Sequence, residues 1–231
     1  MENFHIQVLN IQFKNEISFS EIHLLRGAIL KALNGEADIL FHNHKGDTFR
    51  YSYPLIQYKR IHRKAVVMAL QEGIEAIGQF LAQGSFLLCL GDRPVELEIE
   101  SVHPKKFQIQ LWQSLLSYRI RRWLPLNSEN YQRYKQIDEL AERIAFLENI
   151  LVSNLLSFFK GIEFHVTSKV ICRLVSISDP YQVVNKGVKF MAFDIEFKTN
   201  FSLPDYLGIG KNASIGYGVV THVQSEKKDN R

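Results

Sequence analysis

Apolar and polar residues in the first hundred positions follow two periods, one typical of strands and one typical of helices. Ser18 and Glu21 have the spacing of a capping box, which predicts that a helix begins there, and Gly35 is typical of the residue that ends one. The element order is β-α-β-β-α-β, which predicts a ferredoxin-like, RRM-like antiparallel sheet with both helices on one face. The other predicted elements are strands at about 4–13, 49–59, 64–70 and 95–102, and a helix at about 71–83.

The second half of the chain has a similar order of elements. A long helical region carries one apolar stripe and ends near Gly161, and a glycine-rich segment, Gly208 to Gly218, stands where a second helix would be. We therefore predict an α+β protein of two tandem ferredoxin-like domains with antiparallel sheets. The predicted strands of this half are about 106–124, 162–176, 187–199 and a last one through Val219 and His222.

The polar stretch His103-Pro104-Lys105-Lys106 is the expected boundary between the two domains. It gives an N-terminal domain of residues 1–103, a C-terminal domain of residues 104–224 and a flexible tail of residues 225–231. A chain of 231 residues, 46% of them hydrophobic, is long enough to fill two cores of roughly 100 residues each.

The net charge of +4 and the isoelectric point near 9.0 are too mild to indicate a nucleic-acid partner by themselves. The distribution of the basic residues is more informative, because they alternate with aromatic residues, as in proteins that bind single-stranded nucleic acid. The alternative is a solvated turn and a solvated strand edge. One cluster is Lys59, Arg60, His62, Arg63 and Lys64 beside Tyr58, and the other is Arg119, Arg121 and Arg122 between Tyr118 and Trp123.

The glycine segment, Gly208 to Gly218, has a composition suited to contact with a phosphate chain. Glycine allows positive φ and lets a ligand approach the backbone N–H groups without a Cβ in the way. The segment does not match the dinucleotide fingerprint or the P-loop, because it continues into a strand rather than a helix. Its other interpretation is a tight turn between strands. The candidate RNA contacts in it are Gly208, Gly210, Lys211, Asn212, Ser214, Gly216, Tyr217 and Gly218.

A second segment with reactive side chains lies between the first helix and the next strand, at residues 41–52. Metal-free cleavage of RNA needs a group that removes the 2′-hydroxyl proton, a group that protonates the leaving oxygen and a positive charge near the phosphorus. Histidine exchanges protons near neutral pH, and lysine supplies charge. A metal site and a pair of exposed loop histidines are the alternatives, and no second Cys/His pair supports the metal. The candidate catalytic residues are His42, His44, Lys45 and Tyr51.

The two cysteines, Cys89 and Cys172, lie far apart in strand-like runs, so neither a disulfide framework nor a zinc site is predicted, and no cofactor is expected. The N-terminus lacks a basic region followed by an apolar one, and no apolar run approaches the roughly 18 residues that span a bilayer. We therefore expect a cytoplasmic protein without a membrane partner.

The run from Asn200 to Leu207 that leads into the glycine segment resembles the C-terminal signature of a family of CRISPR-associated endoribonucleases, the sixth Cas group of the RAMP superfamily. The order Leu40-Phe41-His42, Lys45-Gly46 and Phe49-Arg50-Tyr51-Ser52 is similar to the histidine segment of the same family. The resemblance implies two ferredoxin-like domains, a CRISPR repeat RNA as partner, and metal-independent cleavage by 2′-hydroxyl attack that leaves a cyclic phosphate.

The resemblance also implies that His42 is catalytic by position, with His44 in reserve. Some members carry a tyrosine in the first helix where this chain has Leu30, which leaves Tyr51, Lys45 and His44 open as the compensating group. The alternative function is a non-catalytic RNA-binding RAMP subunit of a CRISPR effector complex. Other effector subunits and a second copy of the chain are further partners left open.

Overall fold

The computed structural model describes residues 4–33, 53–84 and 86–223, and the backbone of residues 44–45 and 48–49. The predicted helix end at Gly35 and the predicted flexible tail, 225–231, lie outside the described residues. The elements are β1 (Phe4–Glu16), a 3-10 turn (Phe19–Glu21), α1 (Ile22–Ala32), β2 (His44–Lys45), β3 (Thr48–Phe49), β4 (Ile56–Ile61), β5 (Lys64–Leu70), α2 (Gly73–Ala82), β6 (Leu87–Leu90), β7 (Arg93–Glu96), β8 (Ile99–Ile109), β9 (Leu111–Trp123), α3 (Ser128–Lys135), α4 (Leu140–Gly161), β10 (Cys172–Ile177), β11 (Tyr181–Asn185), β12 (Val188–Phe201), a second 3-10 turn (Ala213–Ile215) and β13 (Val219–His222).

The first half forms a four-stranded antiparallel sheet in the order β4-β5-β1-β8. These are the second, third, first and fourth strands of a βαββαβ unit, which is the ferredoxin-like order. Side chains on β5 alternate between two cores: Val67 and Ala69 pack with α1 and α2, whereas Met68 and Leu70 belong to the core shared with the second half. Both faces of this sheet are therefore covered, one by its own helices and the other by the second domain.

The start of α1 agrees with the predicted capping box. The Ser18 N–H donates to the Glu21 carboxylate at 2.8 Å, and a 3-10 turn leads into the helix. The predicted apolar stripe, which includes Ile22, Leu25 and Ile29, is buried against the sheet. Local sequence thus determines where α1 begins and which side of it faces the core.

The polar stretch from His103 to Lys106 lies inside a strand rather than in a linker. Strand β8 runs without interruption through it, and His103 pairs with Asn10 and Lys106 with Gln7 on β1. Because β8 is an edge strand, its exposed lysines and Pro104 are residues that discourage pairing with another chain. The same polarity that suggested a linker therefore belongs to an exposed sheet edge.

Two other strand predictions differ from the structure at their ends. The strand predicted at 49–59 becomes the two-residue β3 and a separate β4 that begins at Ile56, after Pro54, which cannot donate to a ladder. The strand predicted from 95 begins at Ile99, because the preceding residues form a separate hairpin of β6 and β7.

The second half forms a sheet in the order β10-β12-β9-β13, with β11 paired to the outer part of β12. The order of its four main strands is again second, third, first and fourth, so the prediction of two ferredoxin-like domains is confirmed. The predicted strand at 162–176 begins only at Cys172. The glycine segment, with its 3-10 turn at 213–215, occupies the chain position of the second helix.

Helix α4 is long and apolar enough, by length and composition, to cross a bilayer, which corrects the expectation that no stretch approaches that length. Its side chains Leu151, Leu155 and Phe158 are 0% exposed and lie in the core shared by the two domains. The core helix of a globular protein satisfies the same criteria, and we assign α4 to the core for that reason.

Candidate nucleic-acid interface

The histidine segment is only partly described. His42 and Tyr51, two of the four candidate catalytic residues, lie outside the described residues. The other two, His44 and Lys45, form β2, which pairs with β3 so that His44 stands opposite Phe49. No group of three His, Cys, Asp or Glu side chains suited to a metal ion occurs in the described part of the chain.

Tyr53, the first residue described after the histidine segment, is bonded to the glycine segment. The Tyr53 hydroxyl donates to the Gly208 carbonyl at 2.6 Å and accepts from Gln57 Nε2 at 2.8 Å. Gln57 Oε1 accepts from the Gly208 N–H at 2.8 Å. Burial raises the pKa of the Tyr53 hydroxyl, so it remains a donor at any physiological pH. The first domain therefore holds both polar groups of the Gly208 backbone.

Lys59 completes this buried group. Its Nζ donates to Gln57 Oε1 at 2.5 Å, and its side chain is 0% exposed. Burial, with no carboxylate partner among the described residues, lowers the pKa of Lys59 to about 7. The prediction that Lys59 lies with the exposed basic residues of the turn is therefore wrong, because the second domain covers the face of β4 on which Gln57 and Lys59 lie.

Packing explains the glycines of the segment at several positions. A Cβ at Gly218 would lie 1.9 Å from the Ile209 carbonyl oxygen. A Cβ at Gly208 would lie 2.7 Å from the Ala213 carbonyl oxygen. The Gly218 N–H donates to the Arg122 carbonyl at 3.1 Å, and its carbonyl accepts from the Ile209 N–H at 2.9 Å. The prediction of free backbone donors is therefore wrong for Gly208 and Gly218, which are buried and use their N–H groups within the protein.

Two further glycines bring the segment against its neighbours. Gly216 has φ of +82°, and a Cβ there would lie 2.7 Å from Cδ1 of Ile22 on α1. Gly210 has φ of +83°, and a Cβ there would lie 3.0 Å from Nε1 of Trp123 on β9. Side chains at either position would strain the backbone and separate the segment from the element that it contacts.

The side chains of the glycine segment that were predicted to contact RNA differ in exposure. Lys211 is exposed, with Nζ 4.7 Å from the centre of the Phe190 ring. Asn212 adopts the left-handed conformation with φ of +60°, and its Nδ2 is buried without a hydrogen-bond partner. Ser214 is half-buried, and Tyr217 is 8% exposed. Contact of these residues with RNA stays a prediction.

Three of the predicted basic contacts are neutralised by carboxylates. Arg119 bonds Glu196 at 2.5 Å, Arg121 bonds Asp194 at 2.6 Å, and the exposed Arg63 bonds Glu16 at 3.0 Å. An arginine that already has a carboxylate partner offers less charge to a phosphate.

The remaining two predicted arginines meet at an aromatic ring that sequence reasoning missed. The guanidinium carbons of Arg60 on β4 and Arg122 on β9 lie 4.9 and 4.2 Å from the centre of the Phe19 ring. The Arg122 guanidinium carbon also lies 5.1 Å from the centre of the Tyr217 ring. We call Arg60, Phe19, Arg122 and Tyr217 the arginine-aromatic stack. It joins the first domain, the second sheet and the glycine segment at one place.

Comparison with known proteins assigns the family. The family model of the Cas6b N-terminal domain matches residues 4–108, and that of the Cas6b C-terminal domain matches residues 110–223. The chain belongs to the Cas6b family. The two matched ranges adjoin at the passage from β8 to β9, which lies beyond the predicted boundary at residues 103–106.

Several relatives are similar to this Cas6b chain over most of their length. An uncharacterized protein of Methanocaldococcus jannaschii is 40% identical over 113 residues, which are 48% of this chain and 76% of that protein. A crystal structure of Cas6b has a TM-score of 0.85 at 28% identity, covering 95% of this chain and 100% of that one. A crystal structure of a CRISPR RNA processing endoribonuclease Cas6b has a TM-score of 0.73 at 26% identity, with the same coverage.

Sequence reasoning missed two residues of this junction in the Cas6b chain: Phe19, which contacts arginines of both domains, and Asp194, which bonds Arg121 and Arg122 within the second domain. Phe19 looks like an ordinary apolar residue before a helix, and its arginine partners are far away in the sequence. Asp194 accepts from the Arg122 N–H at 2.8 Å and from the Tyr181 hydroxyl at 2.8 Å. Burial opposes ionisation of Asp194, but these bonds and Arg121 hold its pKa below the usual value. A lone aspartate in a strand gives no signal of this role.

Proposed function

We propose that this Cas6b-family chain cuts CRISPR repeat RNA in the cytoplasm and thereby releases guide RNAs, without the help of a metal ion. The 2′-hydroxyl beside the scissile phosphate attacks the phosphorus, and the bond to the 5′-oxygen of the next nucleotide breaks. The products are a 2′,3′-cyclic phosphate and a 5′-hydroxyl. His42 transfers protons in this reaction, and the basic residues at the domain junction hold the RNA.

The observation that carries this proposal is the buried bond from the Tyr53 hydroxyl to the Gly208 carbonyl. Tyr53 follows the histidine segment directly in the sequence and is bonded to the glycine segment. This bond supports the proposal that the two stretches that resemble the family signatures act at one junction between the domains. The similar crystal structure of a CRISPR RNA processing endoribonuclease Cas6b supports the substrate class.

The chemistry requires two proton transfers and one stabilised negative charge. A neutral imidazole takes the 2′-hydroxyl proton, and an acid returns a proton to the leaving 5′-oxygen. His42 is the first candidate for one of these transfers, and His44, Lys45 and Tyr51 are the candidates for the other. A positive charge beside the phosphorus stabilises the transition state more than the ground state, because charge accumulates there during the attack.

The test uses end-labelled repeat RNA with purified protein in EDTA. Wild type is expected to cut at one position and leave a cyclic phosphate, which resists a phosphatase until the cyclic ester is opened with acid. His42→Ala is expected to slow cleavage by about 10² to 10⁴ and to leave RNA affinity within a few-fold, since it removes one acid-base group. His165→Ala is the matched control, because His165 is an exposed histidine outside the junction elements.

Three results would contradict the proposal in different ways. Tight binding of intact RNA by wild type, with no cleavage, would favour a non-catalytic RNA-binding subunit of a CRISPR effector complex. Cleavage that is absent in EDTA and restored by magnesium would refute the metal-independent mechanism. A 2′-deoxy substitution at the cut position that leaves the rate unchanged would exclude attack by the 2′-hydroxyl.

A further inference from the structure

We propose that the arginine-aromatic stack is a binding site for one unpaired nucleotide of the RNA, formed jointly by both domains. The base stacks on the exposed part of the Phe19 ring, and an adjoining phosphate pairs with Arg60 and Arg122. This inference rests on the proposed function for the identity of the polymer. It adds a residue, Phe19, and a requirement that the bound nucleotide be unpaired.

Charge distinguishes this place from the other arginines that were predicted to contact RNA. Arg63, Arg119 and Arg121 each have a carboxylate partner, whereas Arg60 and Arg122 have none among the described residues. The Arg60 Nε donates to the Ile17 carbonyl at 2.6 Å, which fixes the side chain without neutralising it. Two uncompensated guanidinium groups on one ring attract a phosphate, and the planar fork of arginine suits phosphate oxygens.

The backbone is held in an unfavourable conformation to aim Arg122. Its φ is +54°, a region that side-chain-bearing residues adopt rarely and at a cost, so the surrounding structure must maintain it. Asp194 accepts the Arg122 N–H, and Gly218 donates to the Arg122 carbonyl. Arg121 and Tyr181 in turn hold Asp194 in place. The Arg122 Nε is buried without a hydrogen-bond partner, so this arrangement does not serve to satisfy the guanidinium.

Phe19 supplies the surface on which a base can lie. Its side chain is 43% exposed although the guanidinium carbons of Arg60 and Arg122 lie 4.9 and 4.2 Å from the centre of its ring, whereas Tyr217 is only 8% exposed. An exposed ring flanked by cations is the arrangement that binds single-stranded nucleic acid, with rings against bases and cations against phosphates. Bases in a duplex have both faces occupied by neighbours, so the nucleotide bound here is unpaired.

The experiment is a thermodynamic cycle between Phe19 and single positions of the RNA. Affinity is measured by fluorescence anisotropy with repeat RNA that carries a 2′-deoxy nucleotide at the cut position, which prevents cleavage, and with versions of it that also carry one abasic nucleotide at each position in turn. Phe19→Ala is expected to weaken binding of the intact RNA by about tenfold to a hundredfold, because one stacked base is lost. At one position, the abasic RNA is expected to bind wild type more weakly by the same factor. The same abasic RNA is expected to bind Phe19→Ala no more weakly than the intact RNA does, because the stacked pair is already lost.

Control variants separate stacking from general damage. Leu156→Ala removes an apolar side chain of the same 43% exposure from α4 and is expected to leave affinity unchanged. Arg122→Lys retains the charge but loses the planar face, so it is expected to weaken binding while the thermal midpoint stays close to that of wild type. Arg173→Gln, which removes an arginine that is paired with Glu148, is expected to have little effect.

The outcomes separate this inference from the proposed function. The nucleotide site alone would be overturned if Phe19→Ala bound and cut the RNA normally. It would also be overturned if the loss of affinity from each abasic position added to the loss from Phe19→Ala. RNA that is bound with coupling to Phe19 but never cut would overturn the cleavage proposal alone. Wild type that binds no repeat RNA would overturn both.

Discussion

Replacing the buried Lys59 by methionine is expected to stabilise the protein at neutral pH. Lys59 is 0% exposed, and its Nζ has the Gln57 amide oxygen as its acceptor. Methionine has nearly the same length and shape and carries no charge. The Gly208 N–H would still donate to the Gln57 oxygen, so that acceptor is not left without a partner. The substitution therefore removes a desolvated cation at little cost in packing.

The magnitude follows from the difference between the folded and unfolded pKa of Lys59. Burial lowers the pKa from 10.5 to about 7, so between these values the unfolded chain binds a proton that the folded protein does not. Stability therefore rises with pH across this window and is at its lowest when the pH is below about 7, where both states are protonated. Burying the charged Lys59 therefore costs the folded protein about 5 kcal/mol below pH 7, because each unit of pKa difference corresponds to about 1.4 kcal/mol.

The assay is chemical denaturation of wild type and Lys59→Met at several pH values. Methionine does not titrate, and the other ionisable groups are common to both proteins, so the difference in unfolding free energy isolates Lys59. That difference is expected to favour the variant at pH 7 and to shift towards wild type by about 2 kcal/mol between pH 7 and pH 9. Lys189→Met, which removes an exposed lysine of β12, is the control and is expected to show no such trend.

A difference between wild type and Lys59→Met that does not change with pH would refute the reasoning. It would mean that the lysine remains charged inside the fold at pH 9, with a compensating partner that the buried network lacks. A variant that is several kcal/mol less stable than wild type at pH 7 would refute it as well, because the lysine would then contribute favourable interactions.

Two further substitutions test how the glycine segment is held. Tyr53→Phe removes the hydroxyl that donates to the Gly208 carbonyl and is expected to lower the free energy of unfolding by about 1–3 kcal/mol, measured by urea denaturation. An unchanged midpoint would show that the bond contributes nothing. Gly218→Ala would place a Cβ 1.9 Å from the Ile209 carbonyl oxygen at a residue with φ of +63°, and it is expected to cost more than about 2 kcal/mol or to prevent folding. A folded protein of wild-type thermal midpoint would contradict that steric argument.

Local sequence was sufficient for the features that depend on neighbouring residues. The capping box gave the start of α1, and the predicted strand at 64–70 coincides with β5. Local sequence could not indicate that the second domain covers the face of β4 on which Lys59 lies, so Lys59 was grouped with the other basic residues of the turn although it is buried. The covering surface comes from residues about 150 positions later, and periodicity contains no information about it.

The glycine motif was easy to find in the sequence, but packing within the protein explains two of its glycines. Its glycines suggested a backbone that is open to a ligand, yet Gly208 and Gly218 use their N–H groups within the protein. Glycine is required there because a side chain would meet backbone atoms, which a sequence pattern cannot distinguish from close approach of a phosphate.

The packing of the glycine segment and the arginine-aromatic stack are two consequences of the same geometry. Gly216 lets the segment approach Ile22 at the start of α1, directly after the turn that carries Phe19. Gly218 bonds the Arg122 carbonyl and so helps to keep that residue in its left-handed conformation. A side chain at either glycine would move Arg122 and Tyr217 away from the Phe19 ring. In the proposed function, the glycines therefore act chiefly by bringing side chains of the two domains to one place.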